Sequence, residues 1–195
     1  MLLMTEGEYI EGLKRGDEKV FREFVDQHQL SLLKLCIGFL HNEEDAKDIV
    51  QDVFIEVFQS IGQFRGDALL STWLFRIAVN KSMNQIRKSK SIRILSNIDS
   101  VMPFKKKAIA DITDESEISD RHIETKEQAK IIRRAIDLLP RNQRIAFILS
   151  KYQDLSYKDI SGVMNISLSA VESLIHRAKL SLQKKLYNLY KKKLI

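Results

Sequence analysis

The chain has 195 residues, 44% of them hydrophobic, with only 7 Gly and 2 Pro; this is room for two small folded units and too few turn formers for an all-β protein. Net charge is +6, distributed as −2 over residues 1–90, −2 over residues 91–125 and +10 over residues 126–195, so the basic third suits a polyanion such as DNA or an acidic membrane surface. A single cysteine excludes an intramolecular disulfide, no apolar run approaches the roughly 18 residues of a membrane span, and the acidic start from Met1 to Glu11 is unlike a signal peptide, so the protein is expected in the cytoplasm and not in the bilayer.

From Glu8 to about Lys90 the pattern is densely helical. Phe21, Phe24, Val25 and His28 recur at helix spacing, and Leu32, Leu33, Leu35, Cys36 and Phe39 continue the apolar run. Cys36 reads as a core thiol. The segment Asp45 to Ile61 is the clearest helix. At 100° per residue, Val50, Val53, Phe54, Val57, Phe58 and Ile61 share one face, while Asp45, Asp48, Asp52, Glu56 and Gln59 share the other. Between Glu43 and Glu56 there are six acids and one base, Lys47. Such a face repels itself and suits a cationic partner.

Residues 62–67 read as a loop, and a helix is predicted from about Thr72 to Lys88. From Arg65 to Lys90 the charge reverses, with six bases against Asp67 alone. The same stretch holds Phe64, Trp73, Phe75, Asn80, Asn84 and Gln85. Aromatic faces stack on bases and amides read base edges. Phe75 reads as core; Trp73 suits either a core or a base-stacking place.

Residues 91–125 lose the helical period and read as a flexible linker, with a reach of up to about 115 Å if extended. Its acidic part, Asp111 to Asp120, has the charge to lie against the basic C-terminal unit. The helical pattern returns from Lys126, with Ile131, Ile132, Ala135, Ile136 and Leu139 in one stripe. Pro140 suits a helix start.

Ser156 to Lys179 has the layout of a helix-turn-helix. Ser156 with Asp159, and Ser169 with Glu172, read as two capping boxes. Asn165 suits a left-handed turn. Ser161 is small enough for close packing, and Ile160, Val163, Ile166, Val171, Leu174 and Ile175 form the shared core. Gly162 interrupts the first helix at a cost of about 1 kcal/mol relative to Ala. Ser169, Glu172, Ser173, His176, Arg177 and Lys179 are left facing outward on the second helix, in reach of bases or phosphates; Glu172 could accept from a cytosine amine but reads first as a helix cap.

Two stretches together resemble the extracytoplasmic-function (ECF) sigma factors of bacterial RNA polymerase. Asp45-Ala-Lys-Asp-Ile-Val-Gln-Asp-Val-Phe54, Phe64-Arg-Gly-Asp67 and Ser71-Thr-Trp-Leu-Phe-Arg-Ile-Ala-Val-Asn80 are similar to sigma region 2. Leu138-Leu-Pro-Arg-Asn-Gln-Arg144 and the helix-turn-helix are similar to sigma region 4. The resemblance implies an all-α protein of two small helical domains, residues 1–90 and 126–195, joined by a linker over 91–125. It implies a transcription initiation factor that binds core RNA polymerase through Asp45, Asp48, Gln51, Asp52 and Glu56. Phe64, Arg65, Trp73, Arg76, Asn80, Lys81, Asn84 and Arg87 would hold the −10 promoter element and help melt it. Ser169, Glu172, Ser173, His176, Arg177 and Lys179 would read the −35 element in the major groove. Leu174 stands where many relatives carry a base. An anti-sigma factor is an expected partner.

Neither a Gly-rich phosphate loop, a metal-ligand spacing nor a nucleophile–base pair occurs in the sequence. No enzymatic activity, cofactor or small-molecule substrate is expected. A stand-alone helix-turn-helix regulator would account for residues 126–195 but not for the acidic helix. A metal-dependent nuclease would need carboxylates that converge.

Overall fold

The computed structural model describes residues 5–98 and 120–193, with side chains of 90–127 and of a few C-terminal positions excepted. All regular structure among them is helical.

The N-terminal unit is built from four helices. Helix α1 (Glu6–Lys14) starts on a capping box between Thr5 and Glu8. Helix α2 (Glu18–Leu40) is capped by Asp17, whose side chain accepts from the amides of Lys19 at 2.9 Å and Val20 at 3.2 Å. It stops at His41, held at φ 57°. Helix α3 (Glu43–Ser60) is capped by Asn42. A 3-10 turn (Ile61–Gln63) and a loop lead to helix α4 (Leu70–Ile98). The Glu6 carboxylate accepts the amide of Leu70, tying α1 to the start of α4.

Helix α2 packs against both α3 and α4. Phe24, Leu32, Leu35, Phe39, Val53 and Leu74 are fully enclosed at the centre. Cys36 lies among them, and its thiol accepts the Ser82 hydroxyl. Burial pushes the thiol's pKa up to about 11, with the Ser82 bond pulling the other way.

The C-terminal unit comprises α5 (Asp120–Asp137), α6 (Arg141–Tyr152), α7 (Tyr157–Met164) and α8 (Leu168–Lys193). Pro140 precedes the first turn of α6, where its missing N–H is harmless. Ile148, Leu149, Ile160, Val171 and Ile175 form the core.

Several helix limits differ from those read in the sequence. Helix α4 runs on to Ile98 and α5 begins at Asp120, so both enter the stretch read as linker. The acidic segment from Asp111 lies outside the described residues except at Asp120. Phe58 was expected on the buried face of α3. It is 54% exposed, its ring edge-on to Phe21 with centroids 5.4 Å apart. Helix α8 begins at Leu168, and its cap is Ser167, whose hydroxyl accepts the amide of Ala170 at 3.3 Å. The Ser169–Glu172 pair has capping spacing but already lies inside the helix.

The two units touch along two seams. Helix α2 meets α6, and α4 meets α7. Arg144, only 5% exposed, reaches from α6 to donate to the carbonyl of Phe39 near the end of α2. The same guanidinium pairs with Asp137 at 2.7 Å, and Asp137 also meets His41 at 3.0 Å. Burial lowers the pKa of Arg144, and the neighbouring Asp137 opposes this.

Candidate nucleic-acid interface

Three surfaces carry the residues singled out in the sequence. The first is the outer face of α3. Asp48, Gln51 and Asp52 are exposed there, and no ion pair holds either aspartate among the described residues. Asp45 is half-buried in the first turn. Glu56 is already engaged, bound to Lys81 of α4 at 2.8 Å. Lys47 pairs with Glu43 at 2.7 Å. The one base of the segment is thus neutralised locally, and Lys47 holds the Glu43 carboxyl below its usual range. What remains is a negative surface edged by the apolar Ile55 and Phe58.

The second surface is α4 with the loop before it. At 100° per residue, Trp73, Arg76, Asn80, Asn84 and Arg87 fall within about 80° of one another and form one stripe. Their surroundings differ. Asn80, Asn84 and Arg87 are exposed, as is Arg65 in the loop. Phe64 is enclosed at 9% exposure and supports the half-buried Trp73, with ring centroids 5.2 Å apart at 41°. Phe64 therefore orients the indole and is not itself open to a base. Phe75 is buried, as read from the sequence. Lys81 lies off the stripe on its bridge to Glu56. Arg76 is turned into the seam between the units, where its Nη2 donates to the carbonyl of Gly162 at 2.6 Å.

The third surface is the helix-turn-helix. The Ser156–Asp159 capping box is present, and Asn165 adopts φ 53°, ψ 50°. Ser161 does more than leave room for packing: its hydroxyl donates to the carbonyl of Ile166 at 2.6 Å and latches the turn. Val171 and Ile175 anchor the inner face of α8, with Leu174 half-buried beside them. Ser169, Glu172, Ser173, His176, Arg177 and Lys179 are all exposed.

A shallow groove runs beside this outer face. Asn142, from the first turn of α6, lines it together with Ser167, Ser169, Ser173 and Arg177. Sequence reading missed Asn142 as a groove residue. The available signal was its position two residues after Pro140, where a helix start brings a polar side chain and free amides together.

Two segments of the chain match family models: Sigma-70 region 2 over residues 24–92 and Sigma-70, region 4 over residues 129–182. Among curated proteins it is 32% identical to the RNA polymerase sigma-H factor of Pseudomonas aeruginosa, over 91% of each chain. It is 29% identical to the ECF RNA polymerase sigma factor SigW of Bacillus subtilis, over 92% of this chain and 96% of that one. Among solved structures, CnrH in complex with the cytosolic domain of CnrY aligns with a TM-score of 0.67 at 22% identity, over 92% of this chain and 96% of that one. The sigma factor RpoE in complex with the anti-sigma factor NepR from Bartonella quintana aligns at 0.56 and 24%, over 85% and 98%. With a region 2 unit, a region 4 unit and relatives that match along nearly the whole length, the chain belongs to the ECF group of the sigma-70 family of RNA polymerase sigma factors.

Proposed function

We propose that this sigma factor divides promoter recognition and polymerase binding among its three surfaces. The exposed acids of α3, with Asp48 and Asp52 central, dock on a basic surface of core RNA polymerase. The stripe from Trp73 to Arg87 on α4 holds the −10 element. The outer face of α8 enters the major groove at the −35 element, with Arg177 and Lys179 supplying charge and Ser173 and His176 in reach of base edges. The observation that carries this reading is the separation of an open acidic helix and an open polar-basic helix onto two different units.

The mechanism is one of binding rather than catalysis. Unstacking a base step costs a few kcal/mol. Contacts to polymerase and to the −35 element offset that cost, so the −10 strand is captured without nucleotide hydrolysis. Trp73, held by Phe64, offers a ring on which an unpaired base stacks; Asn80 and Asn84 offer amides to its edge. The protein works beside polymerase in the cytoplasm. An anti-sigma factor is its regulator, a reading supported by the likeness to RpoE, whose complex holds NepR.

Run-off transcription with purified core polymerase and a library of promoter fragments tests this reading. Transcripts that appear only with the protein present are expected. Asp48→Arg with Asp52→Arg should remove polymerase binding and leave −35 duplex binding intact. Joint loss of both in a folded protein would refute the division of duties.

A further inference from the structure

The start of α4 is held by a residue of another helix, 64 positions away in sequence. We infer that Glu6 is a positioning residue for −10 capture: by capping α4 it keeps the indole of Trp73 against Phe64, where an unpaired base stacks. This deepens the −10 assignment made above and rests on it.

Helix α4 has no cap of its own. The residue before it is Leu69, whose carbonyl accepts the Trp73 amide at 3.1 Å but whose side chain has no oxygen to offer. Leu69 is 53% exposed, so burial does not anchor this point either. Leu70 is only 3% exposed. Water has little access to its amide, and a buried amide left unpaired is costly. The Glu6 carboxylate supplies the acceptor, and its negative charge suits the positive end of the helix dipole. Among the described residues Glu6 is in no ion pair.

The helix that carries Glu6 is itself held still. A Cβ on Gly12 of α1 would come within 2.7 Å of both Cγ atoms of Val20 on α2, so the missing side chain lets the two helices close together. Leu13 is buried at their corner. The Tyr9 ring packs on Phe24 with centroids 6.0 Å apart. Helix α1 also rests on the 3-10 turn. It therefore grips the loop at both ends, since the 3-10 turn precedes Phe64 and Arg65 and Leu70 follows them.

Trp73 lies about one helical turn beyond Leu70, and its ring leans on Phe64 at the far end of the loop, with centroids 5.2 Å apart. The way the first turn of α4 is held thus sets where the indole stands. Fraying of that turn takes Trp73 out of register, and apparent affinity for the −10 strand falls with the competent fraction. Glu6 is an exposed carboxylate next to this surface. Its charge alone would oppose the DNA phosphates, whereas its work as a cap favours strand binding, so the two effects have opposite signs.

The test uses the full chain assembled with core polymerase and a fluorescent −10 non-template strand from a promoter mapped by run-off transcription, with a −35 duplex as the second probe. Glu6→Ala should weaken strand binding about fivefold, the effect of a lost cap on the competent fraction, with core and −35 affinities unchanged. Glu6→Gln, whose amide oxygen still accepts, should bind like the wild type. Glu6→Ala with Leu69→Asp gives α4 a cap of its own and should recover strand binding without restoring the tie to α1. That rescue separates positioning of α4 from general support of the fold, and it carries the test if Glu6→Ala alone fails to fold. Unchanged strand binding in a folded Glu6→Ala variant, or no recovery in the double variant, would overturn the inference. Tighter binding in both the Glu6→Ala and Glu6→Gln variants would also overturn it, by showing that Glu6 acts only as a charge repelling phosphates. Trp73→Ala is the control for the underlying assignment. If it binds the strand as the wild type does, the −10 assignment falls and this inference with it; if it binds weakly while Glu6→Ala does not, this inference alone falls.

Discussion

Replacing Arg144 by Met removes a side chain that caps one unit from the other. The last carbonyls of α2 have no partner within their helix, and the guanidinium of Arg144 supplies one to Phe39. A charge-assisted hydrogen bond of this kind contributes about 1.5–3 kcal/mol. The Asp137 pair adds at most about 1 kcal/mol, because Asp137 is 39% exposed and solvent screens it. Release of the guanidinium to apolar Met recovers part of the burial penalty. The expected net loss is about 2 kcal/mol. With a urea slope of about 2 kcal/mol per molar, the midpoint falls by about 1 M. Trp73 is the only tryptophan and sits in the N-terminal unit, whereas far-UV circular dichroism reports both units. If the units are coupled as the seam suggests, substitution in α6 shifts the Trp73 transition as well. A midpoint change worth less than about 0.5 kcal/mol, within the range of ordinary surface substitutions, or a tryptophan transition that does not move, would refute this account.

Ser167→Ala should destabilise the chain by about 1 kcal/mol through loss of the α8 cap, whereas Ser169→Ala should leave the melting temperature unchanged and weaken −35 binding; equal effects on stability would contradict the cap assignment. Cys36 should resist dithionitrobenzoate near pH ~8 in the native protein and react fully in urea, because burial holds its pKa up at about 11; rapid native labelling would show that the core opens there. His28 packs on Phe24 with ring centroids 4.6 Å apart, and burial lowers its pKa. A depressed pKa means that its stabilising contribution is present above the unfolded value near 6.5 and is lost as pH falls through the folded value. Denaturation midpoints should therefore fall less steeply below pH ~6.5 in His28→Gln than in the wild type; parallel curves would count against it.

Much of this was legible in the residues because local chemistry determined it. Asn165 takes the left-handed turn that its short amide side chain tolerates. The alternation of Val53 and Val57 against Asp48 and Asp52 placed α3 correctly, since one helix face had to be buried. Less legible features depend on contacts between residues distant in sequence. Gly162 reads locally as a defect in α7 and becomes intelligible only beside Thr72. Arg76 belongs by periodicity to the −10 stripe, yet its partner is a carbonyl 86 residues away. Phe58 escaped burial because helix periodicity places a residue on a side of the helix but does not say how far the neighbouring α2 extends over it. The cap of α8 was misplaced because Ser167 and Ser169 both present hydroxyls near the helix start, and pattern matching favoured the one followed by glutamate.

The length of α4 sets a physical ruler. Its 29 residues form a rod of about 44 Å, and the next helix starts at Asp120. Residues 99–119 join these helices, and that length of chain can span at most about 75 Å. Insertions or deletions between Ile98 and Asp120 should change which distances between −10 and −35 elements one molecule can bridge, without altering the bases either unit prefers.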